Sequence, residues 1–267
     1  MILPAIALSV FRESVRDKVF YNLLLFAVIL VGASLLVGQT TAGQDVKIVK
    51  DLGLAATSLF GLFIAVFVGI GVVWKEVERR SVYSLLSKPV RRTDLVLGKY
   101  VGLVFTLLVN VAVMALALYA LLTYTHLSAT ESQRLAWEAP AADPALLTAF
   151  ALIFAQLMLV TALAIFFSTF SSPMLSAALT FGLYIIGHFN ADLKNFEAIV
   201  PSRPVAWLAK ALYYLLPNLA PFDIKAQVVH GQAVAPGYVG LTLAYAAVYI
   251  AALLVAASLI FSRRDLK

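Results

Sequence analysis

The sequence contains no cysteine. Disulfides, thiolate metal sites and cysteine nucleophiles are thereby excluded; the compartment is left open. Charge is scarce: 13% of the 267 residues are Asp, Glu, Lys or Arg, against 62% hydrophobic, and mean hydropathy is +0.94. A soluble chain with that balance could not cover its surface with polar groups. The three histidines, His126, His188 and His230, are too few and too scattered to make a metal site without cysteine. No H-E-x-x-H or G-x-S-x-G occurs, so no catalytic set is present. The G-x-x-x-x-G-K-[ST] phosphate loop is also missing, since Gly98-Lys99 runs into Tyr100. Any ATP hydrolysis coupled to this chain belongs to another subunit. No basic residue precedes the first apolar residues and no small-residue cleavage site follows, which speaks against a signal peptide.

What is present is a series of six apolar runs, near residues 19–37, 52–74, 100–124, 145–168, 174–189 and 237–261. Most reach the roughly 20 residues that cross a hydrocarbon core. The runs are continuous and do not alternate, which argues for helices over a β-barrel. The expected fold is an all-α polytopic membrane protein, one transmembrane domain over residues 1–267. The fifth run has 16 residues, so it borrows polar flanks, tilts little, or is a half-span. No acidic or basic side chain lies inside any run. Intramembrane ionisable groups mark ion pathways and proton relays, so their absence argues against a proton- or sodium-driven carrier. The few polar residues in the runs are Asn22, Thr57, Ser58, Thr106, Asn110, Gln156, Thr161, Ser176, Thr180 and His188. Most suit modest helix–helix hydrogen bonds, and His188 reads as a boundary residue.

Residues 1–18 place Leu3, Ile6, Ala7, Val10, Phe11 and Val15 at helical spacing, opposite Arg12, Glu13, Arg16 and Asp17. This pattern is an amphipathic helix lying in the membrane interface; the inner start of the first span is the other reading. With the N-terminus inside, the inner segments hold 13 basic and 6 acidic residues, and the outer segments 7 and 8. The excess of Lys and Arg belongs in the cytoplasm, so both termini are expected there. The basic balance is a topology signal and does not argue for nucleic acid. The outer stretch 125–144 is polar and turn-rich and reads as a mobile loop. In 190–236, Val205, Trp207, Leu208, Leu212, Tyr213, Tyr214, Leu215 and Leu216 suggest a helix at the outer interface, with aromatics as anchors.

The one long charged segment runs from Trp74 to Tyr100 and holds seven of the twenty basic residues. Glu76 and Arg80 are i,i+4 partners on a helix. Val82, Leu85 and Leu86 form a short apolar face beside Tyr83, and Pro89 stops the helix. Such a helix at the inner mouth of two spans suits contact with a soluble partner, while a basic connection that only fixes topology has the same pattern. Gly98 and Gly102 form a G-x-x-x-G entering the third span, and Gly61, Gly69 and Gly71 make the second span lean, so both suit close helix packing. The second span and its glycines are the expected interface with a second copy.

The segment WKEVERRSVYSLLSKPVRRTDLVLGKYVG resembles the connection between the second and third spans of ABC type-2 permeases. There a glutamate and basic residues precede an apolar stretch, a [KS]-P-[VI]-x-R turn and L-G-K-[YF]-x-G. In this sequence those positions are Glu78, Arg79, Leu85, Leu86, Lys88, Pro89, Val90, Arg92, Leu97, Gly98, Lys99, Tyr100 and Gly102. A second match is YYLLPNLAPFDIK, residues 213–225, which contains Pro217, Asn218, Phe222 and Asp223. Within the family, the chain is similar to the permease of the copper-maturation transporter serving nitrous oxide reductase, and to multidrug- or natural-product-type permeases.

The resemblance implies a six-span permease in the bacterial cytoplasmic membrane, pairing with a second permease chain and with a separate ABC ATPase that holds the ATP and Mg; this chain would carry no cofactor. A periplasmic accessory protein and membrane lipid are further implied partners. Residues 75–88 would be the coupling helix, with Glu76, Glu78, Arg79, Arg80, Val82, Tyr83, Leu85, Leu86, Lys88 and Pro89 meeting the ATPase. Two functions fit: an ATP-driven export permease, or a membrane anchor that passes ATPase motion to a periplasmic partner without moving a solute.

Overall fold

A computed structural model describes residues 3–39, 45–78, 92–189, 210, 213 and 216–263. All regular structure among them is helical. In chain order the helices are α1 (Leu3–Val15), α2 (Lys18–Gln39), α3 (Asp45–Glu78), α4 (Arg92–Ser128), α5 (Glu131–Leu135), α6 (Ala145–Ser168), α7 (Pro173–His188), α8 (Lys225–Val229) and α9 (Pro236–Arg263), with a 3-10 turn at Ala220–Phe222.

Among the described residues, five helices, α2, α3, α4, α6 and α9, are long and apolar enough to cross a membrane. The fifth apolar run is shorter. At 1.5 Å per residue, α7 with its 16 residues is about 24 Å long, less than the roughly 30 Å of a hydrocarbon core. Among the described residues the six runs thus become five long helices and a short one. Punctuation sets the ends of α7. Pro173 occupies its first turn, where the missing N–H is no loss. At the other end the returning chain seals it, as described below.

Burial separates a centre from a rim. In α6, 72% of the spanning window is buried, against 24% in α2 and 28% in α9. The central helix α6 packs against α3, α4, α7 and α9, while α2 and α9 turn Leu25, Phe26, Ile29, Leu241 and Val248 outward. Exposed apolar side chains of this kind face lipid.

The second span packs its glycines unevenly. A Cβ on Gly53 would meet Leu118, one on Gly61 would meet Leu157, and one on Gly69 would lie 3.8 Å from Ala164 and Leu103, so these positions admit side chains from α4 and α6 of the same chain, while Gly71 has nothing within 4 Å.

The stretch 125–144 is solvated over its first half and packed over its second. Helix α4 runs on to Ser128, the exposed α5 follows, and residues 137–143 touch the bundle through Ala139 and Ala141. Lys50 donates to the Pro140 carbonyl at 2.7 Å, and the Tyr119 hydroxyl donates to the Asp143 carbonyl at 2.9 Å. Each bond gives a partner to a main-chain carbonyl that would otherwise pull the strap back toward water.

Candidate functional site

At one end of the bundle α1 lies across the start of α4. A Cβ on Gly98 would stand 2.7 Å from Ile6, and one on Gly102 would stand 2.6 Å from the Ala7 carbonyl oxygen and 2.7 Å from Val10. Only bare backbone permits this approach, so the G-x-x-x-G is the seat of the first helix. The partner is α1, which the spacing of the motif alone did not identify.

The same end carries the charged connection. Glu76 and Glu78 fall in the last turn of α3, which continues past Trp74. Arg79, Arg80, Val82, Tyr83, Leu85, Leu86, Lys88 and Pro89 lie outside the described residues. The chain resumes as helix at Arg92.

Inside the bundle most hydroxyls satisfy themselves. Thr57 donates to the Gly53 carbonyl, Thr106 to Gly102, Thr161 to Leu157 and Thr180 to Ser176. Such back-bonding uses the single donor of each hydroxyl and leaves only acceptor lone pairs. Four side chains instead join across helices. Nδ1–H of His188 donates to the Tyr184 carbonyl at 2.8 Å, which makes Nε2 the acceptor for the Gln156 amide at 2.9 Å. The Tyr184 ring packs on His188 with centroids 4.5 Å apart, and its hydroxyl is 3.5 Å from Ser58. His188 is therefore more than a boundary residue: it ties α6 to α7.

Asn110 has the opposite character. It is fully buried in α4, and neither amide atom has a hydrogen-bond partner among the described residues.

The outer motif forms a compact plug. Leu219 N–H donates to the Gly187 carbonyl at 2.9 Å, and Asn218 N–H to the Tyr245 hydroxyl at 2.8 Å. Asn218 also accepts from Ala220 N–H through its side chain at 3.2 Å. A Cβ on Gly187 would meet the Pro217 carbonyl at 2.8 Å. Phe222 is 1% exposed with its ring 6.4 Å from Tyr245, and Asp223 faces Lys225 at 3.5 Å.

Beside the plug, three outer segments converge. Glu138 accepts a 2.8 Å hydrogen bond from His230 and sits 3.8 Å from Lys47. The His230 bond, then the Lys47 charge, hold the Glu138 carboxyl below its ordinary value. All three segments were expected on one side, and they meet at one end of the bundle, opposite α1.

The site thus has α1 seated on Gly98 and Gly102 at one end, a cross-linked core, and the segment 216–223 packed on α7 at the other end. A family model described as ABC-2 family transporter protein matches residues 5–266. Comparison with curated proteins finds no match.

Proposed function

Because the chain belongs to the ABC-2 family of transporter proteins, it is a membrane permease subunit of an ABC transporter, and we propose that it works as the exporting half-pathway of that machine. The observation that carries this is the family match across residues 5–266 on a bundle of five long apolar helices and a short one. ATP and Mg bind the ATPase subunit, which performs the hydrolysis; this chain holds neither. Residues 76–89 dock into a groove on that ATPase. Val82, Leu85 and Leu86 are the buried anchors, since interface energy concentrates in a few desolvated side chains. Glu78, Arg79 and Arg80 form the rim that fixes register. Two permease chains complete the pathway. The excess of basic residues on the segments assigned to the α1 end supports a cytoplasmic position for that end and for both termini in a bacterial cell.

The test is co-purification and transport. Leu85→Asp puts a charge in a dry contact and is expected to weaken ATPase binding strongly while leaving membrane insertion intact. A well-inserted Leu85→Asp protein that still holds and stimulates its ATPase would overturn the docking assignment. Outward solute movement by the reconstituted complex separates an exporter from an anchor that only passes motion to a periplasmic partner. The finer likeness, to the copper-maturation permease, is tested by whether this chain restores copper loading of nitrous oxide reductase in cells lacking that permease.

A further inference from the structure

The residues between α5 and α6 take no helical form of their own, and three other parts of the chain hold them. Lys47 and Lys50 of α3 reach Glu138 and the Pro140 carbonyl. Tyr119 of α4 donates to the Asp143 carbonyl. Beyond α8, His230 bonds Glu138, and Gly231, at φ +67°, would set a Cβ 2.9 Å from that of Ala139. This short strap ties the start of α3 and the turn after α8 to the link between α4 and α6, at the end of the bundle opposite α1.

Its fastenings do not all pull one way. Closure covers Ala139 and Ala141, at 8% and 1% exposure, and so removes apolar surface from water. The Glu138 pairs are exposed, and exposed ion pairs add little. Lys50 works against closure. Its side chain is wholly buried. Among the described residues its ammonium nevertheless has one hydrogen-bond acceptor, the Pro140 carbonyl at 2.7 Å, for three N–H donors. Asp143 acts on it as an opposite charge without bonding it. A charge taken out of water is costly unless its hydrogen bonds are replaced in full. Lifting the strap returns this ammonium to water.

We propose that residues 137–143 form a two-state clasp over this end of the bundle, and that Lys50 keeps its closed state shallow. Closed, the strap holds the ends of α3, α4 and α6 together. Open, it trades two buried alanines for a hydrated ammonium. Methionine in place of Lys50 keeps the length and the apolar stem without the charge. It leaves the Pro140 carbonyl unpaired, a smaller cost than burying an ammonium, so Lys50→Met tightens the clasp. A lysine that only staples the strap would give the opposite sign. The use of such a clasp rests on the permease reading, since cargo leaving at this end needs these helix ends to part.

The chain has no cysteine, so a single one reports on the strap. Ala141→Cys protein in lipid nanodiscs is exposed to a water-soluble maleimide and its labelling rate is followed. Ala149→Cys, at a position 1% exposed in α6, monitors wider unfolding. Ala141→Cys is expected to label several-fold faster than Ala149→Cys, and adding Lys50→Met is expected to slow it several-fold. Equal rates at the two cysteines would show permanent packing and overturn the clasp. Labelling that is unchanged or quickened by Lys50→Met overturns the role given to Lys50. If Ala141→Cys does not fold, Ala139→Cys decides in its place. These measurements need neither ATPase nor cargo. With the ATPase bound, trapping by ATP and vanadate is expected to change the Ala141→Cys rate several-fold. An unchanged rate removes the clasp from the transport cycle, whereas failure of the permease reading itself shows in the absence of solute movement by the reconstituted complex.

Discussion

Leu219 is hydrogen-bonded beneath Gly187, its N–H donating to the glycine carbonyl at 2.9 Å, while its side chain fills the place of a Cβ, only 2.8 Å away. Through this pair the segment after α7 closes the helix that precedes it.

Gly187→Ala is expected to destabilise the protein. In an open helix the change would help, since glycine is the poorer helix former by up to about 1 kcal/mol. Here the methyl group must displace backbone as well as Leu219, and overpacking costs about 1–3 kcal/mol. Gly182, in the same helix, has nothing within 4 Å of its Cβ position, so Gly182→Ala should raise the melting temperature or leave it unchanged. Melting curves in one detergent compare the two; equal shifts would show that the plug does not bear on Gly187.

Asn110→Leu is expected to stabilise the fold. The buried amide pairs with nothing among the described residues, and removing an unsatisfied polar group of similar size recovers about 1–3 kcal/mol. A lower melting temperature would mean that the amide is satisfied by water or by a partner.

Gln156→Leu should cost about 1–3 kcal/mol, because it strands the acceptor nitrogen of His188 in a half-buried place. His188→Leu in the same protein should return part of that loss. A double-mutant cycle measures the coupling, and strict additivity would show that the 2.9 Å contact carries no energy.

The outer cluster predicts a pH dependence. The Glu138 carboxyl is held below its ordinary value of 4.5, first by the His230 hydrogen bond and then by the Lys47 charge. A depressed carboxyl contributes stability that is fully present above the unfolded value and is lost as pH falls through the folded one. The difference in melting temperature between wild type and Glu138→Gln should therefore hold at neutral pH and close on acidification below about 4.5. A gap that persists in strong acid would remove Glu138 from the cause.

Much of this fold could be read from the chain, and the misses share one physical origin. The run 145–168 became α6, Ala145–Ser168, because Pro144 and the Ser171–Pro173 turn punctuate it as sharply as its hydropathy does. The second run did not end where its apolar residues end: α3 starts at Asp45 and continues to Glu78. Lys47, Lys50 and Asp51 are acceptable helix formers once an end of the helix leaves the hydrocarbon, and hydropathy marks only the membrane crossing. The glycines at 98 and 102 announced close packing but not their partner, since α1 and a neighbouring span would require the same spacing. The folding of 137–143 involves a lysine ninety positions away, a tertiary bond that no local pattern encodes. The cross-helix role of His188 was hidden for the same reason, although a glutamine midway along one apolar run and a histidine at the end of the next were the available signal.

The shortness of α7 has a consequence for the lipid around it. A bilayer adapts to a brief apolar segment by thinning or by drawing polar groups inward, at a modest cost per ångström. Here the shortfall is roughly 6 Å, and the polar backbone of residues 217–219 packs at the Gly187 end of the helix. The apolar length beside this helix is therefore shorter than along α2 or α9, and the deficit lies next to the Gln156–His188 link between α6 and α7.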